Sequence, residues 1–204
     1  MNVYDFDKTI FYPDSLTTFI RWCILRYPKL LVLYCPKTAV MAFLLAIKRC
    51  SVTAAVEQLA SFVKFIPDID KEVEEFWAEN EWRISEWYLA QKKETDLIVS
   101  ASPEFFLKPL IEKLGVNLIG TQLDKKTGKI AGRCCYGKEK VKYLVISNYF
   151  PQHKIDEFYS DSITDTPLAY CAEKAFLVTN KGRKVVPWPK ISSRVKNKIL
   201  NTLL

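Results

Sequence analysis

Histidine is nearly absent from this chain: His153 is the only one in 204 residues, and it sits in a polar, loop-like stretch. A lone imidazole makes a Ser-His-Asp relay or a histidine-rich zinc centre a poor reading. The six cysteines (Cys23, Cys35, Cys50, Cys134, Cys135 and Cys171) show no Cys-x-x-Cys spacing, which argues against zinc again. They read as small buried thiols of a reduced, cytoplasmic protein. Long apolar runs are missing too. The richest segment, residues 30–47, is split by Pro36-Lys37 and falls short of the ~20 continuous apolar residues that a bilayer span needs. At the amino end Asp5 and Asp7 interrupt any apolar run, so no cleavable leader is expected there. Internal repeats and low-complexity linkers are also lacking.

Acids are absent from two stretches. None follows Glu173, whereas Lys174, Lys181, Arg183, Lys184, Lys190, Arg194, Lys196 and Lys198 do. None occurs in residues 15–56, which carry Arg21, Arg26, Lys29, Lys37, Lys48 and Arg49. The formal charge of +7 is therefore uneven, and residues 68–81 are by contrast acidic. Basic regions of this kind attract nucleic acid, anionic lipid or phosphorylated substrates.

What is present is the composition of an ordinary globular protein, 49% hydrophobic and 26% charged. Residues 2–6 read as a buried strand. From Pro13-Asp14-Ser15 to about residue 93 the periodicity is helical, with Phe19, Trp22, Cys23 and Leu25 on one face and Val56, Leu59, Ala60 and Val63 on another. From residue 96 the texture changes. Strands are predicted at 97–100, 116–123, 154–159 and 175–179, with helices at 103–114, 138–149, 167–173 and 191–204. Thr127-Gly128 and Lys181-Gly182 predict hairpins. Strands separated by helices imply an α/β fold with a Rossmann-like parallel sheet and helices on both faces. The expected division is a core of residues 1–12 and 94–204 and an inserted all-helical cap, residues 13–93.

Four segments place phosphate-handling groups where strands should end, the ligand-binding end of open α/β sheets. The first is Asp5-Phe6-Asp7-Lys8-Thr9. The second is Ser100-Ala101-Ser102-Pro103, a hydroxyl at a helix start, which suits a phosphate oxygen. The third is Gly137-Lys138-Glu139-Lys140-Val141, with two lysines at a helix start. The fourth is Tyr159-Ser160-Asp161-Ser162-Ile163-Thr164-Asp165, with carboxylates four apart. Each alone is a common turn or cap pattern; the set in this order is specific.

This arrangement resembles the haloacid dehalogenase superfamily of phosphohydrolases over nearly the whole chain, and the helical insertion is similar to the cap of its phosphoserine phosphatase branch. The resemblance implies Mg²⁺ held by Asp5, Asp161 and the backbone carbonyl of Asp7, with Asp165 as a further or outer ligand. It implies Asp5 as nucleophile forming an aspartyl-phosphate, and Asp7 as the proton carrier. Thr9, Ser100, Ala101 and Lys138 would bind phosphate, and Lys140 would be the catalytic lysine, favoured over Lys138 by the Gly-x-Glu-Lys-Val pattern. Asp14 is either a plain helix cap or a substrate-facing acid of the cap.

For substrate, the cap type and Asp14 favour a small phosphorylated metabolite such as phosphoserine. The apolar segment 30–47 is similar to that of bacterial phosphatidylglycerophosphate phosphatases, which favours a lipid phosphate. It reads either as a helical hairpin buried in the cap or as an interfacial one meeting anionic headgroups. A cytoplasmic protein, peripheral to the membrane in the second case, is expected, with no nucleic-acid partner. A non-catalytic module binding phosphate or membrane is the least favoured reading.

Overall fold

The computed structural model describes residues 1–149 and 152–189, so the helix expected at 191–204 lies outside the described residues. The first strand, β1 (Asn2–Tyr4), lies inside a six-stranded sheet. On one side it pairs with β2 (Leu97–Pro103), which pairs with β3 (Asn117–Thr121). On the other side come β4 (Ile155–Ser160) and then β5 (Ala172–Thr179). These five are parallel. The antiparallel β6 (Lys184–Pro187) closes the edge through the hairpin expected at Lys181-Gly182. Strand order is β3-β2-β1-β4-β5-β6, so the chain builds outward from β1 through β2 to β3 and then crosses back to the other side of β1 at β4. A crevice opens at such a switch point, at the carboxyl ends of the strands.

Between β1 and β2 every regular element is helical: α1 (Ser15–Arg26), α2 (Lys29–Leu33), α3 (Cys35–Ala46), α4 (Val52–Ala60), α5 (Ile69–Asn80) and α6 (Glu86–Gln91). Asp14, Ser51 and Asp68 cap α1, α4 and α5, each side chain accepting from the backbone N–H three residues on. Downstream, α7 (Glu104–Leu114) joins β2 to β3, α8 (Glu139–Ile146) precedes β4, and the short α9 (Thr166–Ala169) precedes β5.

Alternation along the strands splits the core between two faces. Val3, Leu97, Val99 and Phe158 meet Val141 and Leu144 of α8 and Leu168 of α9. Tyr4, Ile98 and Tyr159 belong to the other cluster, with Phe19, Phe76, Trp77 and Phe106. Here the Phe19 and Phe106 rings stack at 4.8 Å, and Trp77 Nε1 donates to the Phe106 carbonyl at 2.6 Å. Apolar packing therefore runs unbroken from the sheet into the insertion.

Several expectations shift. The strand read at residues 2–6 ends at Tyr4, and the one read at 97–100 continues to Pro103 with a register shift after Val99. The hairpin expected around Thr127-Gly128 shrinks to a single antiparallel bridge between Leu123 and Ile130. There the Asp124 side chain accepts from Lys126 N, Thr127 N and the Thr127 hydroxyl, and this local turn competes with a ladder.

Apart from Leu30 and Tyr34, which join the core, residues 30–47 are not buried in the insertion, which corrects the first of the two readings for most of that segment. No residue of α3 is buried, and Val32, Val40 and Phe43 are 75%, 59% and 64% exposed. The reason is a missing layer. Helix α3 meets α4 along the side of Thr38, whose hydroxyl accepts from Gln58 Nε2 at 3.2 Å, with Met41 and Leu44 half-buried at helical spacing. Its other side has no layer against it among the described residues. No helix among them is long and apolar enough to cross a membrane.

Candidate active site

The loop after β1 is built around Phe6. Asp5 N donates to Tyr159 O at 2.8 Å, extending the pairing with β4 by one residue. The Phe6 carbonyl then accepts from Thr9, Ile10 and Phe11, while its ring is fully buried. With Phe6 turned inward, the residues on either side of it, Asp5 and Asp7, turn outward together. Both line a cleft of ≈ 310 Å³ with Ser100, Lys140, Asp161 and Asp165, so three of the four sequence segments supply carboxylates or the lysine and the remaining one a hydroxyl.

Lys140 is the charged centre. Its Nζ donates to Asp5 Oδ1 and to Asp165 Oδ2, both at 2.7 Å, and Ser160 Oγ donates to the same Asp165 oxygen at 2.8 Å. All four side chains are buried. Burial pulls the Lys140 ammonium down, but the two carboxylates outweigh it and hold the pKa above the ordinary lysine value. Burial pushes the Asp5 carboxyl up, Lys140 pulls it back, and Asp165 adds to the rise. Lys140 faces inward because Val141 and Leu144 of the same helix are core residues. Lys138, two positions earlier, is exposed at the cap position of α8 and lines a neighbouring depression rather than the cleft. The expectation that Lys138 binds phosphate in this cleft does not fit that position.

Asp7 is held differently. Oδ1 accepts from Ser15 N and Oδ2 from Ser102 Oγ, each at 2.6 Å. Burial, reinforced by the charge of Asp14, pushes its carboxyl up to about 6 against the pull of these donors. A carboxyl near that value exchanges protons readily around neutral pH. The Ser15 donor belongs to the first turn of α1, so the insertion itself grips this acid. Asp14 caps the same helix through Thr17 N at 2.9 Å, lines the cleft and lies 3.7 Å from Lys8. It is a cap and a cleft residue at once.

The remaining candidates divide. Ser100 and Ala101 line the cleft, and the Ser100 hydroxyl accepts from Ser102 N. Thr9 is fully buried and its hydroxyl is used within the protein: it accepts from Asp161 N at 2.9 Å and donates weakly to Asp5 Oδ2 at 3.4 Å. It orients the acids, in place of the phosphate contact expected for it. Asp161 is half-buried, and its carboxyl rises to about 6, through burial and then repulsion from Asp5, with Lys8 opposing. Sequence reasoning missed the supporting roles of Ser102 and Ser160. The first had a visible signal, since alternation in an extended strand puts Ser102 on the side of Ser100.

The donor set suits a small hard cation. Asp5 and Asp161 line one cleft, and the charge of Asp5 raises the affinity of Asp161 for protons, a repulsion that a cation relieves. Among the described residues no group of three acids, histidines or cysteines forms a complete side-chain cage. Magnesium needs no such cage, because it takes one or two carboxylates and fills its octahedron with water and phosphate.

Residues 3–170 match the model of the haloacid dehalogenase-like hydrolases. The chain belongs to that family. Its fold recurs in solved structures across most of their length. A Bordetella pertussis Tohama I protein of unknown function has a TM-score of 0.66 at 19% identity, with 86% of this chain and 87% of that one covered. A phosphoserine phosphohydrolase-like protein from Francisella tularensis gives 0.56 at 15%, with 86% of each covered. A substrate-bound phosphoserine phosphatase gives 0.57 at 15%, covering 85% of this chain and 82% of that one. Identities this low show a common fold. The family accounts for the order of the four segments, and this hydrolase carries all of them in one cleft.

Proposed function

We propose that this hydrolase is a magnesium-dependent phosphatase that cleaves phosphate monoesters through an aspartyl-phosphate on Asp5. One observation carries the reading: Lys140 joins Asp5 to Asp165 inside a cleft that a second, separately held acid also lines. Asp5 Oδ1 is engaged by Lys140 at 2.7 Å while the contact from Thr9 to Oδ2 is a longer 3.4 Å, which favours Oδ2 as the oxygen for attack. That oxygen forms a bond to phosphorus as the ester P–O bond breaks. Asp7, outside the lysine network, gives its proton to the departing alkoxide oxygen. It then takes a proton from the water that attacks the aspartyl-phosphate, releasing phosphate and regenerating both carboxyl groups. Lys140 compensates phosphate charge in a setting screened from water. A magnesium ion held by Asp5, Asp161 and the Asp7 carbonyl would neutralise further phosphate charge.

The cleft wall bears on the substrate. A phosphorylated amino acid presents a carboxylate beside its phosphate, yet the only cations lining the cleft among the described residues are Lys8 and Lys140. Lys140 is engaged by Asp5 and Asp165, and Lys8 is paired with Asp14. Leu16, Val56, Leu59, Leu123 and Tyr136 give the wall an apolar side, beside the hydroxyls of Thr17, Ser162 and Thr164. This favours an ester with an apolar leaving group, of the lipid-phosphate kind exemplified by phosphatidylglycerophosphate, over phosphoserine.

The test is a panel of phosphate esters compared by kcat/KM with magnesium and with excess chelator. Aryl phosphate turnover is expected with the metal and is expected to fall at least about a hundredfold on chelation. Well-folded protein that turns over no ester in magnesium would sink the assignment. Lipid phosphates are expected to outperform phosphoserine; the opposite order would return the substrate to the amino-acid class. Lys138→Ala is expected to leave kcat/KM within about twofold, as for a surface substitution; a loss of tenfold or more would move the phosphate lysine to that position.

A further inference from the structure

The exposed arm formed by α2 and α3 is unlike the rest of the surface. It presents Leu31, Val32, Leu33, Val40, Phe43 and Ile47 to solvent, each at least 45% exposed. Contiguous apolar surface of this kind marks an interaction site. The charge around it has one sign. Lys37 stands in the first turn of α3 and Lys48 and Arg49 follow its end, all three exposed and none with a carboxylate partner within ion-pair distance among the described residues. No acid occurs anywhere in residues 15–56.

We propose that this arm is a docking surface for an anionic lipid bilayer, lying in the headgroup layer with Val40 and Phe43 in the acyl boundary and Lys37, Lys48 and Arg49 on the phosphates. Length excludes a span: the 12 residues of α3 rise about 18 Å, against a hydrocarbon core of ~30 Å. A helix with apolar side chains outward and lysine or arginine at both ends fits the interface instead. Charge decides against two other occupants. A second copy pairing arm to arm would set this basic surface against itself, and the charged side chains of residues 190–204 are all positive, so neither complements it. The arm is also one helix away from the cleft: the Tyr34 hydroxyl, at the joint between α2 and α3, donates to the Leu59 carbonyl at 2.8 Å, and Leu59 lines the cleft wall. Docking by the arm thus brings the apolar wall of the cleft to the lipid surface. The proposal does not depend on which ester is hydrolysed.

Vesicle co-sedimentation of the full chain at low salt tests it, using phosphatidylcholine vesicles with and without phosphatidylglycerol. Wild-type protein is expected to bind the anionic vesicles at least about tenfold more tightly than the neutral ones, and to release as salt rises. Val40→Ser combined with Phe43→Ser is expected to lose binding at least about tenfold. Lys37→Glu combined with Lys48→Glu is expected to abolish the preference for the anionic vesicles. Aryl phosphate turnover in solution is expected to be unchanged in both, which shows intact folding and separates docking from catalysis. The proposal is overturned if wild-type protein stays in the supernatant with anionic vesicles. It is equally overturned if the serine variant sediments as wild type does, or if light scattering shows a dimer that this variant disperses.

Discussion

Asp5→Asn is expected to lower kcat for an aryl phosphate by at least about three decades, each decade being ~1.4 kcal/mol of transition-state stabilisation. The amide keeps the shape of the carboxylate but is a poor nucleophile, and it carries no charge to draw a cation. Folding should survive. Lys140 keeps its second partner, Asp165, which Ser160 holds from the other side. The hydrogen bonds that build the loop come from the Phe6 carbonyl, which is untouched. The measurement is steady-state turnover in magnesium beside a thermal melt. A variant that melts near wild type and retains a tenth of its turnover would remove Asp5 as the nucleophile.

Lys140→Met is expected to be costly in two ways. It leaves the Asp5 and Asp165 carboxylates buried together with no cation between them. Breaking a buried pair by removing one partner costs about 3–5 kcal/mol, because the remaining charge stays desolvated. The two acids would escape part of that cost by taking up protons, which also disarms Asp5. Urea unfolding should show the stability loss, and kcat/KM should fall at least about a hundredfold. Adding Asp165→Asn separates the two effects. The double variant removes one of the stranded charges, so it should regain part of the stability while remaining inactive. Lys140→Met that loses less than about 1 kcal/mol and stays active would make the lysine a spectator.

Much of this candidate site is legible in the sequence. Asp5, Asp7, Ser100, Asp161 and Asp165 stand at or just beyond the end of an apolar run and Lys140 at a helix start, and all six line the same cleft. That works because a buried strand advertises itself locally, and a parallel sheet aligns the carboxyl ends of its strands. Thr9 shows where local reading stops. A hydroxyl beside two acids could hold a phosphate or hold the acids, and the Asp161 N–H, 152 residues away, made it the latter. Ser102 and Ser160 were overlooked for the same reason. Each supports an acid from another segment or a later turn, and although alternation places Ser102 beside Ser100, only the fold names the acid it holds.

The apolar segment 30–47 shows the same limit at a larger scale. Its composition suits a buried helix and an interfacial one equally, and only the number of layers packed against it separates them. One side of α3 meets α4, and the other leaves Val40 and Phe43 exposed. The sequence by itself determined the candidate groups, their order and the alternation that carries them toward one end of a sheet, since each depends on residue identity and on periodicities of two to four residues. Tertiary structure decided which of two neighbouring lysines enters the cleft and what the Thr9 hydroxyl does. It also decided that one side of the arm formed by α2 and α3 faces outward. Those outcomes depend on the rotation of a helix against a core, and on partners that lie far away along the chain.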